Sequence, residues 1–123
     1  MTVITYGLMV HYALEAAETL AKEGISTHIL DLRTIKPIDK EAILEATRKT
    51  GKVLIVHEDS KFGGVGGEVA AIIAEEALFD LDAPIQRLCG PDVPAMPYSP
   101  PQEKFYMLNP TKIADAIREL AKF

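Results

Sequence analysis

Short apolar or β-branched segments alternate four times with segments of helical periodicity, and this alternation limits the fold more than any other feature of the chain. The predicted strands cover residues 3–6, 27–32, 53–56 and 85–88. Strands that alternate with helices form βαβ units, which require a mostly parallel sheet covered by helices. The sequence therefore predicts an α/β fold, with the wholly apolar strand 53–56 near the centre of the sheet.

Capping residues mark the ends of the predicted helices. Asp39 can cap a helix that runs through Lys49 and is closed by Gly51, and Asn109 with Pro110 can begin the last helix. The four helices are expected between residues 7 and 24, 39 and 51, 67 and 81, and 109 and 123. Residues 90–109 contain five prolines, which predict an extended strap over the surface rather than a regular helix.

Composition excludes several classes of function. The chain has 123 residues, of which 48% are hydrophobic, enough for a single domain over residues 1–123. Its net charge of −5 argues against a nucleic-acid partner, which would require clustered Lys and Arg. No apolar run approaches the roughly 20 residues that cross a bilayer, so no membrane partner is expected. The single cysteine, Cys89, cannot form an internal disulfide, which favours a cytoplasmic location.

A glycine-rich segment, here called the glycine loop, separates the strand 53–56 from the next helix. Its glycines are Gly63, Gly64, Gly66 and Gly67. Unpaired N–H groups at the start of a helix attract anions, so the loop is a candidate cofactor site. It lacks the Gly-Lys-Ser or Gly-Lys-Thr of a P-loop and only loosely approximates the dinucleotide fingerprint. Tight packing of strand against helix is therefore the favoured interpretation.

His57 and Glu58 lie at the end of the predicted central strand, where α/β sheets often carry functional groups. A histidine base oriented by a carboxylate is conceivable there. Adjacent strand residues point to opposite faces, however, which favours an interface or core-edge role instead. His11 and His28 have no companion at metal-ligand spacing, so we expect no metal site. Cys89 is expected to behave as a small buried hydrophobe.

Seven short segments, taken in order, resemble the C-terminal domain of transketolases. They are Ile4-Thr5-Tyr6-Gly7, Asp31-Leu32-Arg33-Thr34, Pro37-Ile38-Asp39, His57-Glu58, the glycine loop, Leu81-Asp82-Ala83-Pro84 and Gly90-Pro91-Asp92-Val93-Pro94. More narrowly, the chain resembles the C-terminal domain of the E1 β subunit of 2-oxoacid dehydrogenase complexes. Two further segments are most similar to the branched-chain enzymes: Pro94-Ala95-Met96-Pro97-Tyr98 and Glu103-Lys104-Phe105-Tyr106.

The resemblance implies a three-layer α/β/α sandwich with a mostly parallel sheet. In the family, an antiparallel edge strand precedes the strand that begins here at Val3, and we expect this chain to lack it. The backbone of the strand 27–32 should then be unpaired along one edge. We therefore expect a domain cut from a longer E1 β chain, which self-associates when isolated.

The resemblance also implies that the chemistry of the parent enzyme lies elsewhere. Such enzymes carry out the oxidative decarboxylation of branched-chain 2-oxoacids with thiamine diphosphate and Mg, which the preceding domain and the α subunit hold. No catalytic residue, cofactor site or metal site is expected in this chain, which should be inactive alone.

An assembly role follows from the same resemblance, with the E1 α subunit, a second E1 β subunit and the E2 peripheral subunit-binding domain as partners. In related enzymes, E2 docking uses the C-terminal carboxylate and an acidic residue of the Leu-Asp-Ala-Pro turn. Here these are Phe123 and Asp82. Such anions suit salt-sensitive docking to basic groups. Without the resemblance, Asp82 is an ordinary turn residue and Phe123 a frayed terminus.

A second hypothesis belongs to a different class of protein. The chain would be a free-standing flavodoxin-like module that binds an anionic cofactor at the glycine loop. The two hypotheses place the functional site at different residues: Asp82 and Phe123 in the first, and the glycine loop in the second.

Overall fold

The computed structural model describes residues 1–94 and 96–123, and it confirms the predicted alternation of strands and helices. The elements, in chain order, are β1 (Thr2–Thr5), α1 (Leu8–Ala21), β2 (His28–Asp31), α2 (Lys40–Thr50), β3 (Val53–Ser60), α3 (Val65–Glu76), a short 3-10 helix (Leu78–Asp80), β4 (Gln86–Gly90), α4 (Pro100–Tyr106) and α5 (Pro110–Ala121). The fold class is α/β, as predicted.

The four strands form one sheet in the order β2-β1-β3-β4, and all three pairings are parallel. β1 and β3 are central, which explains why the residues of β1 and the first five of β3 are buried. Among the described residues, β2 pairs with β1 alone, from Thr2↔His28 to Thr5↔Asp31. β2, for which the sequence predicts an unpaired backbone edge, therefore lies at one edge of this sheet.

Helices cover both faces of the sheet, which confirms the three-layer sandwich. Alternate residues of the central strands point to opposite faces, as strand geometry requires. Val3, Leu54 and Val56 pack against α1 and α5. Ile4, Val53 and Ile55 pack against α2 and α3.

The predicted caps are present. The Asp39 side chain accepts a hydrogen bond from the Ala42 backbone N–H at 3.0 Å, and Asn109 accepts one from the Lys112 N–H at 2.9 Å. Gly51 closes α2 in a left-handed conformation with φ +65°. None of the helices within the described residues is long and apolar enough to cross a membrane.

Three sequence predictions need correction. β3 continues to Ser60, four residues past its predicted end. α3 covers Val65–Glu76 rather than residues 67–81, because Ala77 leaves the helical conformation before the short 3-10 helix. The predicted absence of a helix in residues 90–109 is wrong for α4, where Pro100 and Pro101 occupy first-turn positions that need no N–H donor. Ala95, part of a branched-chain segment, lies outside the described residues.

Candidate functional site

The residues singled out from the sequence lie at opposite ends of the parallel sheet. Asp82 precedes β4 at the end where the strands begin, here called the amino end. Phe123 follows α5, whose last turn is bonded to Lys52 just before β3. His57, Glu58 and the glycine loop lie where β3 ends, here called the carboxyl end. The sheet thus separates the two predicted sites.

Asp82 is held against the end of α2. Its backbone N–H donates a hydrogen bond to the Gly51 carbonyl at 2.7 Å. Its carboxylate occupies the space that a side chain at Gly51 would fill. The residue is exposed to solvent, and none of the ion pairs within residues 1–94 and 96–123 includes it. The carboxylate is therefore available to a cationic group on another molecule.

The C-terminus lies beside the same segment of chain. The Lys52 Nζ donates a hydrogen bond to the Ala121 carbonyl at 3.4 Å, in the last turn of α5. Lys52 directly follows Gly51, so adjacent residues hold Asp82 and the end of α5. The structure brings the two predicted docking residues to one end of the sheet although 41 positions separate them in the chain.

Exposed apolar side chains accompany these anions. Phe79, in the 3-10 helix three residues before Asp82, is 100% exposed, and Leu78 beside it is 53% exposed. The Phe123 side chain is 65% exposed. A surface that combines free carboxylates with exposed rings suits a basic partner with apolar groups of its own.

His57 at the carboxyl end is completely buried and makes three polar contacts. Its Nδ1 lies 3.2 Å from the Asp59 carbonyl, which can only accept, so Nδ1 carries the proton. Its Nε2 accepts a hydrogen bond from the Gly66 backbone N–H at 3.1 Å and lies 3.3 Å from the Cys89 Sγ. Burial lowers the pKa of His57, which keeps the ring neutral. The ring therefore acts as a side-chain cap for α3.

The glycine loop packs directly on the His57 ring. A Cβ added at Gly64 would lie 2.7 Å from the ring Cε1, and one added at Gly66 would lie 2.6 Å from Nε2. Both distances are too short for real atoms, so these two positions require glycine. The geometry supports the packing interpretation of the loop.

Two amides and one side chain in the first turn of α3 oppose the binding of an anionic cofactor at this loop. The Gly66 N–H is bonded to His57, and the Gly67 N–H is bonded to the Gly64 carbonyl at 2.9 Å. Glu68 adds a negative charge in the first turn of α3. Because first-turn amides and local charge make a helix start attractive to phosphate, this arrangement opposes binding of a diphosphate by these residues.

The structure separates Glu58 from His57, as the alternation of strand residues predicts. Glu58 is exposed while His57 is buried, so the carboxylate does not orient the ring. Cys89 is half-buried, and burial raises the pKa of its thiol. Within the described residues, no group of three or more His, Cys, Asp or Glu side chains is arranged to hold a metal ion.

Sequence reasoning missed the contacts of Gly51 with Asp82 and of Lys52 with the end of α5. The sequence predicts only that Gly51 closes a helix, and it predicts no role for Lys52. One signal was available: in a parallel sheet, residues that directly precede neighbouring strands meet at the same end. Gly51 and Lys52 precede β3, and Asp82 precedes its neighbour β4.

Comparisons with known proteins agree on a family. A family model described as the transketolase C-terminal domain matches residues 1–113. The β subunit of 2-oxoisovalerate dehydrogenase from Bacillus subtilis (strain 168) is 66% identical over 123 residues, which are 100% of this chain and 38% of that protein. The β subunit of acetoin:2,6-dichlorophenolindophenol oxidoreductase from Cupriavidus necator is 43% identical over 122 residues, covering 99% of this chain and 36% of that protein.

A solved structure shows the same fold. A split-gene transketolase, described as an inactive β4 tetramer, superposes with a TM-score of 0.84 at 31% identity and covers 98% of this chain and 39% of its own. This chain thus spans less than two-fifths of these relatives. The match over residues 1–113 and the shared fold confirm the resemblance read from the seven segments. The chain belongs to the transketolase C-terminal domain family.

Proposed function

We propose that this chain is the assembly and docking domain of the E1 β subunit of a branched-chain 2-oxoacid dehydrogenase. It binds the E2 peripheral subunit-binding domain through the Asp82 carboxylate and the α-carboxylate of Phe123. The observation that carries this proposal is the pair of contacts from Gly51 to Asp82 and from Lys52 to Ala121. They hold Asp82 and the last turn of α5 against adjacent residues at the amino end, which supports a basic partner that contacts both carboxylates.

Subunit association is the second part of the role. Both relatives are β subunits, and the structurally similar transketolase is a tetramer. Large exposed rings support an interface with an E1 α subunit or a second E1 β subunit. They include Phe62 at 86% exposure and Phe105 at 83%. Isolated monomers seldom expose so many aromatic rings without a partner.

The parent enzyme's chemistry is assigned to parts outside this chain. Its reaction would be the oxidative decarboxylation of branched-chain 2-oxoacids in the cytoplasm, with thiamine diphosphate and Mg supplied by the rest of the enzyme. The glycine loop offers no free first-turn amide at Gly66 or Gly67 for a diphosphate. We therefore assign no catalytic step to these residues, and the isolated chain should lack decarboxylase activity.

The test is a calorimetric titration with the purified peripheral subunit-binding domain of the Bacillus subtilis branched-chain E2. Binding should weaken between about 0.05 M and about 0.5 M NaCl, because salt screens exposed charges. Asp82→Ala should weaken it about tenfold at low salt, equivalent to about 1.4 kcal/mol. Converting the Phe123 carboxylate to an amide, which removes only the charge, should have a similar effect.

Glu58→Ala is the matched control. It also removes one exposed carboxylate, but at the carboxyl end of the sheet. The proposal requires this variant to bind as the unmodified chain does. Equal affinities for Asp82→Ala, the amidated chain and Glu58→Ala would show that the docking residues are wrongly assigned.

The flavodoxin-like alternative makes a separate prediction. A cofactor bound to the native state would raise the melting temperature in a screen of flavins, nucleotides and inorganic phosphate. Because the Gly66 and Gly67 amides in the first turn of α3 are already bonded, we expect no such stabilisation. A clear stabilisation by any of these compounds would favour the alternative.

A further inference from the structure

Gly51 has two structural roles, and only one of them concerns helix α2. Its φ of +65° lies in the left-handed region, which suits the residue that closes a helix. The same residue also faces Asp82. A Cβ at Gly51 would overlap the Asp82 Oδ2 and would lie 2.7 Å from Cγ. No real side chain fits there while the carboxylate keeps its position.

The other left-handed glycines of the described chain differ in this respect. Gly7, Gly24 and Gly63 also have positive φ, but a Cβ at any of them would meet no atom within 4 Å. Backbone conformation explains glycine at those three positions. At Gly51, the space occupied by the Asp82 carboxylate is a second and independent requirement.

Asp82 is thereby held from two sides. Its N–H is bonded to the Gly51 carbonyl at 2.7 Å, which fixes the backbone. Its side chain lies over the Gly51 Cα, in space that a side chain at position 51 would take away. A carboxylate that is already oriented loses less conformational entropy when a cation binds it.

We propose that Gly51 is a positioning residue of the docking site, which sets the direction of the Asp82 carboxylate by leaving it the space of a side chain. The inference rests on the proposed docking function. Gly51 does not touch the partner. It acts through Asp82, so changes at the two positions should affect docking in the same way.

The experiment compares three variants in the titration with the E2 peripheral subunit-binding domain at low salt. Gly51→Ala adds a Cβ at the contact and strains the backbone. Gly51→Asn adds the same Cβ with less strain, because Asn tolerates the left-handed region. Gly24→Ala is the matched control, since it carries similar strain at φ +79° with no atom within 4 Å.

Both Gly51 variants should weaken docking about tenfold, the same factor as Asp82→Ala. Gly24→Ala should bind with the affinity of the unmodified chain, even if its melting temperature falls. The double variant Gly51→Ala/Asp82→Ala should bind no more weakly than Asp82→Ala, because both changes remove one interaction. A purely structural role for Gly51 would not produce this non-additivity.

Each other outcome contradicts a specific step. Normal docking by the Gly51 variants, with weak docking by Asp82→Ala, would overturn the positioning role and leave the docking function intact. Normal docking by Asp82→Ala would overturn the docking function itself. Equal weakening by Gly24→Ala would show that general strain is responsible. If Gly51→Ala does not fold, Gly51→Asn, which adds the same Cβ with less backbone strain, decides between these outcomes.

Discussion

Replacing His57 by leucine tests whether this ring holds the start of α3. Leucine is of similar size and apolar, so it fills the buried site but cannot accept a hydrogen bond. The Gly66 N–H and the Asp59 carbonyl both lose their partner. An unsatisfied buried donor costs about 1–3 kcal/mol, and the free energy of unfolding should fall by about that amount. For a chain of this size the melting temperature should fall by roughly 3–5 °C for each kcal/mol.

The pH dependence gives a second readout for the same variant. Burial lowers the pKa of His57 in the folded state below its unfolded value of about 6.5. Its contribution to stability is therefore complete above about pH 6.5 and is lost as the pH falls towards the folded pKa, because the unfolded chain binds the proton first. The resulting slope is at most about 1.4 kcal/mol per pH unit. His57→Leu should lack this component.

The assay is urea denaturation followed by circular dichroism at several pH values between 5 and 8. His11→Leu is the control, because His11 is an exposed residue of α1 and its replacement should change stability little. Unchanged stability of His57→Leu at pH 8, together with an unchanged pH slope, would refute the capping role of His57.

Three further predictions concern other parts of the fold. Asp39→Ala should lower the free energy of unfolding by about 1 kcal/mol in the same denaturation assay, because the Ala42 N–H loses its cap, and no change would contradict that role. Cys89 should react more slowly with a thiol reagent in the native state than in urea, because burial raises the pKa of its thiol. Equal rates in the two states would show that the native thiolate is accessible. The isolated chain should associate with rising concentration in light scattering, through the unpaired edge of β2 and its exposed rings, whereas a monomer at high concentration would oppose this.

Local signals in the sequence predicted the framework well. The four strands, the parallel sheet and the caps at Asp39 and Asn109 all follow from periodicity and capping chemistry, which act within a few residues. α4 was missed because proline breaks a helix interior but suits a first turn, and the two cases look alike in a proline-rich segment.

The site depended on contacts between distant segments. His57 caps a helix nine residues away, which requires the path of the glycine loop to be known. Gly51 meets Asp82 across 31 positions, and Lys52 meets Ala121 across 69. Each residue has an adequate local explanation as a helix end, a turn or a surface lysine. Only the parallel sheet, which brings the starts of neighbouring strands together, reveals that they share a surface.

The most direct test of the docking role is nuclear magnetic resonance mapping of the ¹⁵N-labelled chain as the E2 peripheral subunit-binding domain is added. The account predicts shifts concentrated at the amino end of the sheet, at Gly51, Lys52, Asp82 and the last residues of α5 through Phe123. The amide resonances of the glycine loop, which lies at the carboxyl end, should not shift. Shifts centred on the glycine loop, or no shifts at a saturating concentration of the partner, would contradict it.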